Sequence, residues 1–327
     1  MQPLTLALVQ RAWSVLIPGK VFWPYFAGAV VLIVGLAKTN RTEVLRAQGL
    51  ERAIVFGPLL FAVPMAVFGA DHFIFPTVTA TLVPSWIPAH LFWVYFVGVA
   101  LLAAALSIAT KVHSILAATL LSAMILSFDL LIHIPYFAAH AGDRRIFTIV
   151  LRELSFSAGA LAYALVQSKD WPESRVKNIT ILVRYALAVP AMVFGVEHFL
   201  HPELVPVVPL RQVMPSWIPA HWFLAYVSGA VLVACGLSMI LHWRARLAAT
   251  SLGIYVFVVV LLVYLPITIA KITDLGNGLN YLADTLAFGG SALLLAAALP
   301  STDHSEVPSA MQLEPASRVN VQEGDMT

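Results

Sequence analysis

Several ionisable side chains interrupt the apolar segments in the first half of the chain. Asp129 and His133 are four residues apart, so a helix would place them on one face. Arg152 and Glu153 lie in the next apolar segment, and His72 ends an earlier one. A charged side chain inside a membrane span costs about 2.5–3.5 kcal/mol on insertion scales, so residues that bear this cost are functional candidates.

These side chains predict a site that handles protons or binds a headgroup, with all five as its candidate catalytic set. His72 and His133 would exchange protons or form hydrogen bonds with a bound headgroup. Asp129 would orient His133 or relay its proton, and Arg152 would hold Asp129 or an anionic substrate. The competing interpretation is structural, with Asp129, Arg152 and Glu153 as an ion pair that holds helices together.

Three further histidines are candidate ligand-binding residues. His198 ends an apolar segment, as His72 does. His90 and His221 each follow a Pro-Ala pair, which also fits a first-turn or N-cap position at the start of a helix.

A metal site is the alternative for the same residues. His72, His90 and His133 together with Asp129 supply nitrogen and oxygen ligands compatible with zinc or copper. They come from four separate loops and helices and lack a tight spacing such as HxxxH, so the sequence disfavours a metal. The single cysteine, Cys235, excludes an internal disulfide and a CxxC redox pair.

The elements that must position these residues are membrane helices. Of the 327 residues, 60% are hydrophobic and 11% are charged, and the mean hydropathy is +0.87. Globular chains have roughly 45–50% apolar and about 25% charged residues, so a soluble enzyme is excluded. The net charge of +2 gives no sign of nucleic-acid binding. The sequence predicts an all-α polytopic protein whose main partner is the lipid bilayer.

Nine charge-poor segments are predicted to span the membrane. They are 21–37, 53–70, 91–110, 113–134, 146–167, 179–198, 222–241, 247–265 and 281–299.

The chain contains an internal repeat. Residues 84–98 read PSWIPAHLFWVYFVG and residues 215–229 read PSWIPAHWFLAYVSG, which agree at ten of fifteen positions. Upstream, FGADHF at 68–73 matches FGVEHF at 194–199. Residues 17–28 resemble part of the same pattern. The sequence therefore predicts two parallel four-helix bundle repeats preceded by one leading transmembrane helix.

These observations predict five regions. They are a leading helix with its cytoplasmic linker (1–52), a first four-helix unit (53–167), a cytoplasmic linker (168–178), a second four-helix unit (179–299) and a disordered polar tail (300–327).

The two units differ at the candidate site. Val260 and Tyr264 occupy the second-unit positions of Asp129 and His133, and on one alignment Asp284 corresponds to Arg152. The first unit is therefore expected to carry the chemistry and the second a more structural role.

The loop charges predict an orientation. Eleven Lys and Arg residues fall on one side and six on the other, and the positive-inside rule makes the richer side cytoplasmic. The N-terminus is then outside, the C-terminus inside, and the candidate site faces outward from a prokaryotic cytoplasmic membrane.

The FGADHF and FGVEHF stretches, the Trp-Ile-Pro segments and the small-residue run at 286–292 resemble the DoxX-like membrane proteins. This resemblance covers both units. It implies four-helix membrane bundles and, from some relatives, quinone-linked redox chemistry with a quinone as cofactor and a redox partner protein.

The expected function is therefore quinone- or proton-linked redox chemistry at the outer face of the membrane. Two alternatives remain open: a small-molecule carrier or binding protein, and a structural or assembly protein without a substrate.

Overall fold

The computed structural model describes residues 19–300 and is all-helical, with 77% helix and no strands among the described residues. The predicted outer N-terminus and the polar tail from 301 onward lie outside the described residues. The helices of the first half are α1 (Phe22–Lys38), α2 (Arg41–Arg46), α3 (Glu51–Val55), α4 (Gly57–Ile74), α5 (Pro76–Ala80), α6 (His90–Thr110), α7 (Ser114–Phe128), the π-helix π1 (Asp129–His133), α8 (Ile134–Ala139) and α9 (Arg144–Gln167). Those of the second half are α10 (Glu173–Leu200), α11 (His221–Ile240), α12 (Ala245–Val259), the π-helix π2 (Val260–Tyr264), α13 (Leu265–Ala270) and α14 (Leu279–Ala298).

Eight helical segments in residues 19–300 are long and apolar enough to cross a membrane, which confirms the predicted class. They are α4, α6, α7 through α8, α9, α10, α11, α12 through α13, and α14. The leading helix α1 is also apolar, but with 17 residues it is shorter than each of these eight segments.

One boundary differs from the prediction. The interval 168–178 was expected to be a linker, but α10 already begins at Glu173, directly after Pro172. With 28 residues at about 1.5 Å each, α10 is longer than the roughly 30 Å hydrocarbon core requires. Its polar first turns therefore continue as helix beyond the membrane.

Both halves contain a π turn at the same place. Asp129–His133 precedes Pro135, and Val260–Tyr264 precedes Pro266. A proline inside a helix lacks a backbone N–H and its ring crowds the preceding turn, so local widening of the helix accommodates it. The π turns place residues 129 and 133, and their counterparts 260 and 264, in irregular helix.

Glycine pairs allow the closest helix crossings. A Cβ on Gly69 of α4 would lie 3.0 Å from the carbonyl oxygen of Gly98 in α6, and a Cβ on Gly195 of α10 would lie 2.8 Å from that of Gly229 in α11. Small residues let membrane helices approach in this way, and here they fix α6 against α4 and α11 against α10.

Helices α9 and α14 run parallel through the centre of the molecule. Arg152 bonds to Asp284, which is 132 residues away, and Gly159 packs on Ser291 at the same separation. When the contacting residues of two helices keep the same difference in residue number along their length, the two helices must run parallel. Helix α4 also packs on α14, and α10 packs on α9.

The loops form two ends. End A consists of 75–89, 140–143, 201–220 and 271–278, and end B holds the remaining connections. At end A the Tyr25 hydroxyl donates to the carbonyl oxygen of Ile272 at 3.1 Å, and the Gln212 amide donates to that of Asn277 at 2.9 Å. The side chains that could do chemistry lie in the helix turns nearest end A.

An N-cap fixes the start of α9 at end A. Oδ1 of Asp143 accepts from the backbone N–H of Arg145 at 3.0 Å, and the Arg145 guanidinium bonds to the same carboxylate. These hydrogen bonds hold the pKa of Asp143 below its ordinary value. The cap thereby sets the depth of Arg152, about two turns further along the helix.

Candidate functional site

Arg152 is the centre of the candidate site. Its Nη1 donates to Oδ1 and Oδ2 of Asp284 at 3.0 and 2.9 Å, and its Nη2 donates to Oε1 of Glu153 at 2.6 Å. The three side chains are 17%, 8% and 13% exposed, so these ion pairs are well shielded. The network joins α9 to α14 and therefore links the two halves of the chain.

The partner of Arg152 differs from the sequence expectation that it would hold Asp129. In the structure, the guanidinium of Arg152 pairs with Asp284 and Glu153 instead. The reason is geometric: α9 and α14 are parallel and in register, so Arg152 and Asp284 lie directly opposite each other.

Asp129 is buried beside this network without a partner of its own. The residue is 2% exposed, and within residues 19–300 its Oδ1 accepts no hydrogen bond. The charged groups that act on it are Glu153 and Arg152. The same two groups act on half-buried His133, four residues further along π1. The structure thus brings together four of the five predicted catalytic residues.

On α4, Asp71 approaches the cluster, whereas its neighbour His72 lies at the crossing with α6, where a Cβ on Gly98 would be 2.9 Å from the Cβ of His72. The Nδ1 of His72 lies 2.7 Å from the carbonyl oxygen of Phe68. A carbonyl can only accept, so Nδ1 carries the hydrogen and Nε2 remains an acceptor. Asp71 lies next to Asn280 and Asp284 of α14, and its buried Oδ1 has no hydrogen-bond partner in the described chain.

The cluster is rich in carboxyl groups. Asp129, Glu153 and Asp284 lie around the guanidinium of Arg152, and Asp71 lies next to Asp284. Four carboxylates in a low-dielectric interior exceed what one cation can neutralise, so such a group binds protons or cations. No set of three or more His, Cys, Asp or Glu residues in the described chain has the geometry to hold a metal ion.

The three candidate ligand-binding histidines lie elsewhere. His90 and His221 are the first residues of α6 and α11, after Ala89 and Ala220 in left-handed conformation, and their side chains form no cap. Their first-turn position is therefore as expected, but they are not N-caps. His198 is fully buried, and neither imidazole nitrogen has a hydrogen-bond partner in the part of the chain described.

A buried loop closes end A of the second half. Residues 204–209 are all buried, and we call residues 204–210 the plug. Arg144 donates to the carbonyl oxygens of Pro209 and Leu210, both at 2.5 Å, and pairs with Glu197 at 3.0 Å. The Tyr264 hydroxyl donates to the carbonyl oxygen of Pro206 at 2.5 Å.

The first half has no corresponding plug. The connection 75–89 forms the short helix α5, and its apolar side chains Val78 and Leu82 are 65% and 57% exposed. Tyr264, which anchors the plug, is the residue that the sequence alignment of the two halves matches to His133. Sequence reasoning identified this replacement but did not identify the hydroxyl's structural partner.

An apolar groove of about 430 Å³ lies between α1, α4 and α6. It is lined by Trp23, Phe26, Ala27, Val30, Val31, Ala70, Phe73, Ile74, Leu102 and Leu106. The sequence predicted a pocket at Asp129 and His133, and neither residue lines this groove.

Comparison with known proteins does not identify the chain. No protein-family model matches it, and no curated protein or solved structure matches it significantly.

Proposed function

We propose that this protein is an integral membrane protein with a proton-exchanging site at end A, in which Asp129 and His133 hold and pass a proton. The observation that carries this proposal is the buried Asp129 carboxyl, whose Oδ1 has no hydrogen-bond partner among residues 19–300, while the neighbouring Arg152 is bonded to two other carboxyls.

The physical argument concerns the cost of an isolated charge. A carboxylate that leaves water without a compensating partner costs several kcal/mol, and holding a proton removes that cost. The carboxyl is then a proton reservoir one helical turn from an imidazole, a group that binds and releases protons near neutral pH. This arrangement supports proton transfer between Asp129 and His133.

The proposal extends to architecture and family. We propose that residues 53–167 and 179–299 are two parallel DoxX-like units, with α1 as a ninth span, in a prokaryotic cytoplasmic membrane. The matching π turns, the matching glycine crossings and the register of α9 against α14 support this arrangement. The proton site would serve a quinone-linked reaction with a redox partner protein.

A structural role is the second candidate, and the Arg152 network favours it. The bonds from Arg152 to Asp284 and Glu153 join helices from both halves, as an assembly protein without a substrate would require. The unpartnered Asp129 distinguishes the candidates, because a purely structural site has no need of a buried acid there.

The proton site is tested by infrared spectroscopy of the purified protein in lipid nanodiscs. At neutral pH, we expect the carbonyl stretch of protonated carboxyl groups, and we expect Asp129→Asn to remove one component of it, the Asp129-dependent band. Glu203→Gln, at a half-exposed acid in the 201–220 loop, is the control and should leave the band unchanged. An identical spectrum for wild type and Asp129→Asn would refute the proposal. Solvent extraction of bound quinone from the same preparation tests the redox extension.

The orientation is tested by cysteine accessibility. Ala141 lies in an exposed loop at end A, and Lys169 is exposed at end B. In a Cys235→Ser background, we expect Ala141→Cys in intact cells to react with a membrane-impermeant maleimide and Lys169→Cys to react only after lysis. The reverse pattern would contradict the proposed topology. A reporter inserted at 203–213 would be a poorer probe, because much of that loop is buried.

A further inference from the structure

We infer that Asp284 is a positioning residue for the proton site: by holding Arg152 at the centre of the molecule, it keeps the guanidinium from neutralising Asp129. This inference rests on the proposed function, because it concerns how Asp129 keeps its proton.

The geometry of the guanidinium carries the inference. Both carboxylate oxygens of Asp284 accept from Nη1 of Arg152, and Nη2 is taken by Glu153. Of the remaining N–H donors, the one on Nε is buried and has no hydrogen-bond partner in the described chain. Asp129 is close enough to feel the charge of Arg152, yet it forms no hydrogen bond or ion pair with it. Several acids therefore compete for the Arg152 guanidinium, and Asp284 is the one that binds it through two hydrogen bonds.

The position of Asp284 explains why this residue, and not Asp129, binds Arg152. It lies on α14 at the register of Arg152 on the parallel helix α9, so the pair needs no displacement of either backbone. Asp129 lies on π1, which belongs to a different helix packed on α9. Without the carboxylate at 284, Asp129 would be an acid beside the freed guanidinium that still has an unbonded oxygen.

The charged groups that act on Asp129 are Glu153 and Arg152 on α9, and His133 lies four residues further along π1. Asp284 on α14 binds Arg152, and Asp71 on α4 lies next to Asp284. Glu153 repels a charge on Asp129, and Arg152 attracts one. Release of Arg152 from Asp284 would therefore favour the charged form of Asp129.

The inference is tested with Asp284→Asn in the same infrared experiment. We expect the Asp129-dependent carbonyl band of the wild type to disappear, because Arg152 turns to Asp129 and the carboxyl loses its proton. Glu153→Gln leaves the Asp284 pair but also removes the repulsion that Glu153 exerts on Asp129, so the band should weaken and still persist. Glu203→Gln, which removes a half-exposed acid outside the cluster, is the control and should leave the band unchanged. Asp284→Glu, which restores the charge, should also keep the band.

The outcomes separate this inference from the proposed function. A wild-type protein without an Asp129-dependent band would refute the proposed function itself. A band that is present in the wild type and unchanged in Asp284→Asn would overturn only the positioning role. If Asp284→Asn does not fold, Asp284→Thr removes the same charge. Failure of both variants to fold while Glu153→Gln folds would give Asp284 a structural role alone and overturn the inference.

Discussion

Replacement of Arg152 by methionine is expected to destabilise the fold by about 3–5 kcal/mol, the usual cost of stranding one partner of a buried ion pair. Here the change strands two acids, because Asp284 and Glu153 both bond to the guanidinium. Methionine retains much of the side-chain volume of arginine. The decrease in the free energy of unfolding therefore reflects the lost charge and hydrogen bonds rather than a large cavity. Reversible unfolding in mixed detergent micelles measures the change in free energy.

Arg145→Met is the matched control for this experiment. Arg145 is on the same helix and pairs with Asp143, but its side chain is 50% exposed. Exposed ion pairs contribute at most about 1 kcal/mol, so this variant should unfold close to wild type. Equal stability of the Arg152 and Arg145 variants would contradict the central role of the Arg152 network.

Replacement of Gly290 by valine is expected to cost about 3 kcal/mol or more, since adding bulk to a tightly packed core forces backbone shifts. A Cβ at this position would lie 2.7 Å from the backbone nitrogen of Phe61 and 2.9 Å from the carbonyl carbon of Leu60. These neighbours are main-chain atoms of α4 and cannot rotate away. The same unfolding assay measures the loss as a lower midpoint.

Gly142→Val serves as the control for Gly290→Val. A Cβ at Gly142 would meet nothing within 4 Å, and the residue is exposed in the loop at end A. This variant should retain the wild-type midpoint. A tolerated Gly290→Val would mean that α4 and α14 are not packed as closely as described.

The helical membrane class could be predicted from composition because a bilayer permits few alternatives. Without water to satisfy backbone groups, a chain of this hydropathy must form helices that bond internally. The ends of helices were less predictable. The residues that follow Pro172 are polar, so their hydropathy did not assign them to a membrane span. The helix α10 nevertheless begins at Glu173, directly after Pro172, and includes these residues.

The sequence contains a signal for the pairing of Arg152 with Asp284, although the expectation above named Asp129 as the partner. On one alignment of the two proposed units, Arg152 and Asp284 are equivalent positions, and parallel helices in register bring such positions together. Opposite charges at equivalent positions are therefore a signal of a central ion pair. Reading the first unit alone could not reveal it, because the partner lies in the other half of the chain.

The plug could not be predicted from a span-by-span reading. The run 204–209 is apolar but too short to span a membrane, so the sequence alone predicts only a loop there. Its burial depends on Arg144 and Tyr264, which come from two distant helices. Tertiary contacts of this kind have no local sequence signature.

The most direct test of the central claim is solvent exchange at Asp129. A carboxyl that exchanges its proton with the medium shifts its carbonyl band when water is replaced by deuterium oxide. The proposed site predicts that the Asp129-dependent band shifts while the protein stays folded, and that His133→Phe, which removes the neighbouring proton carrier, slows the shift. A band at Asp129 that does not shift on prolonged exposure, or shifts equally fast without His133, would contradict a proton-exchanging site.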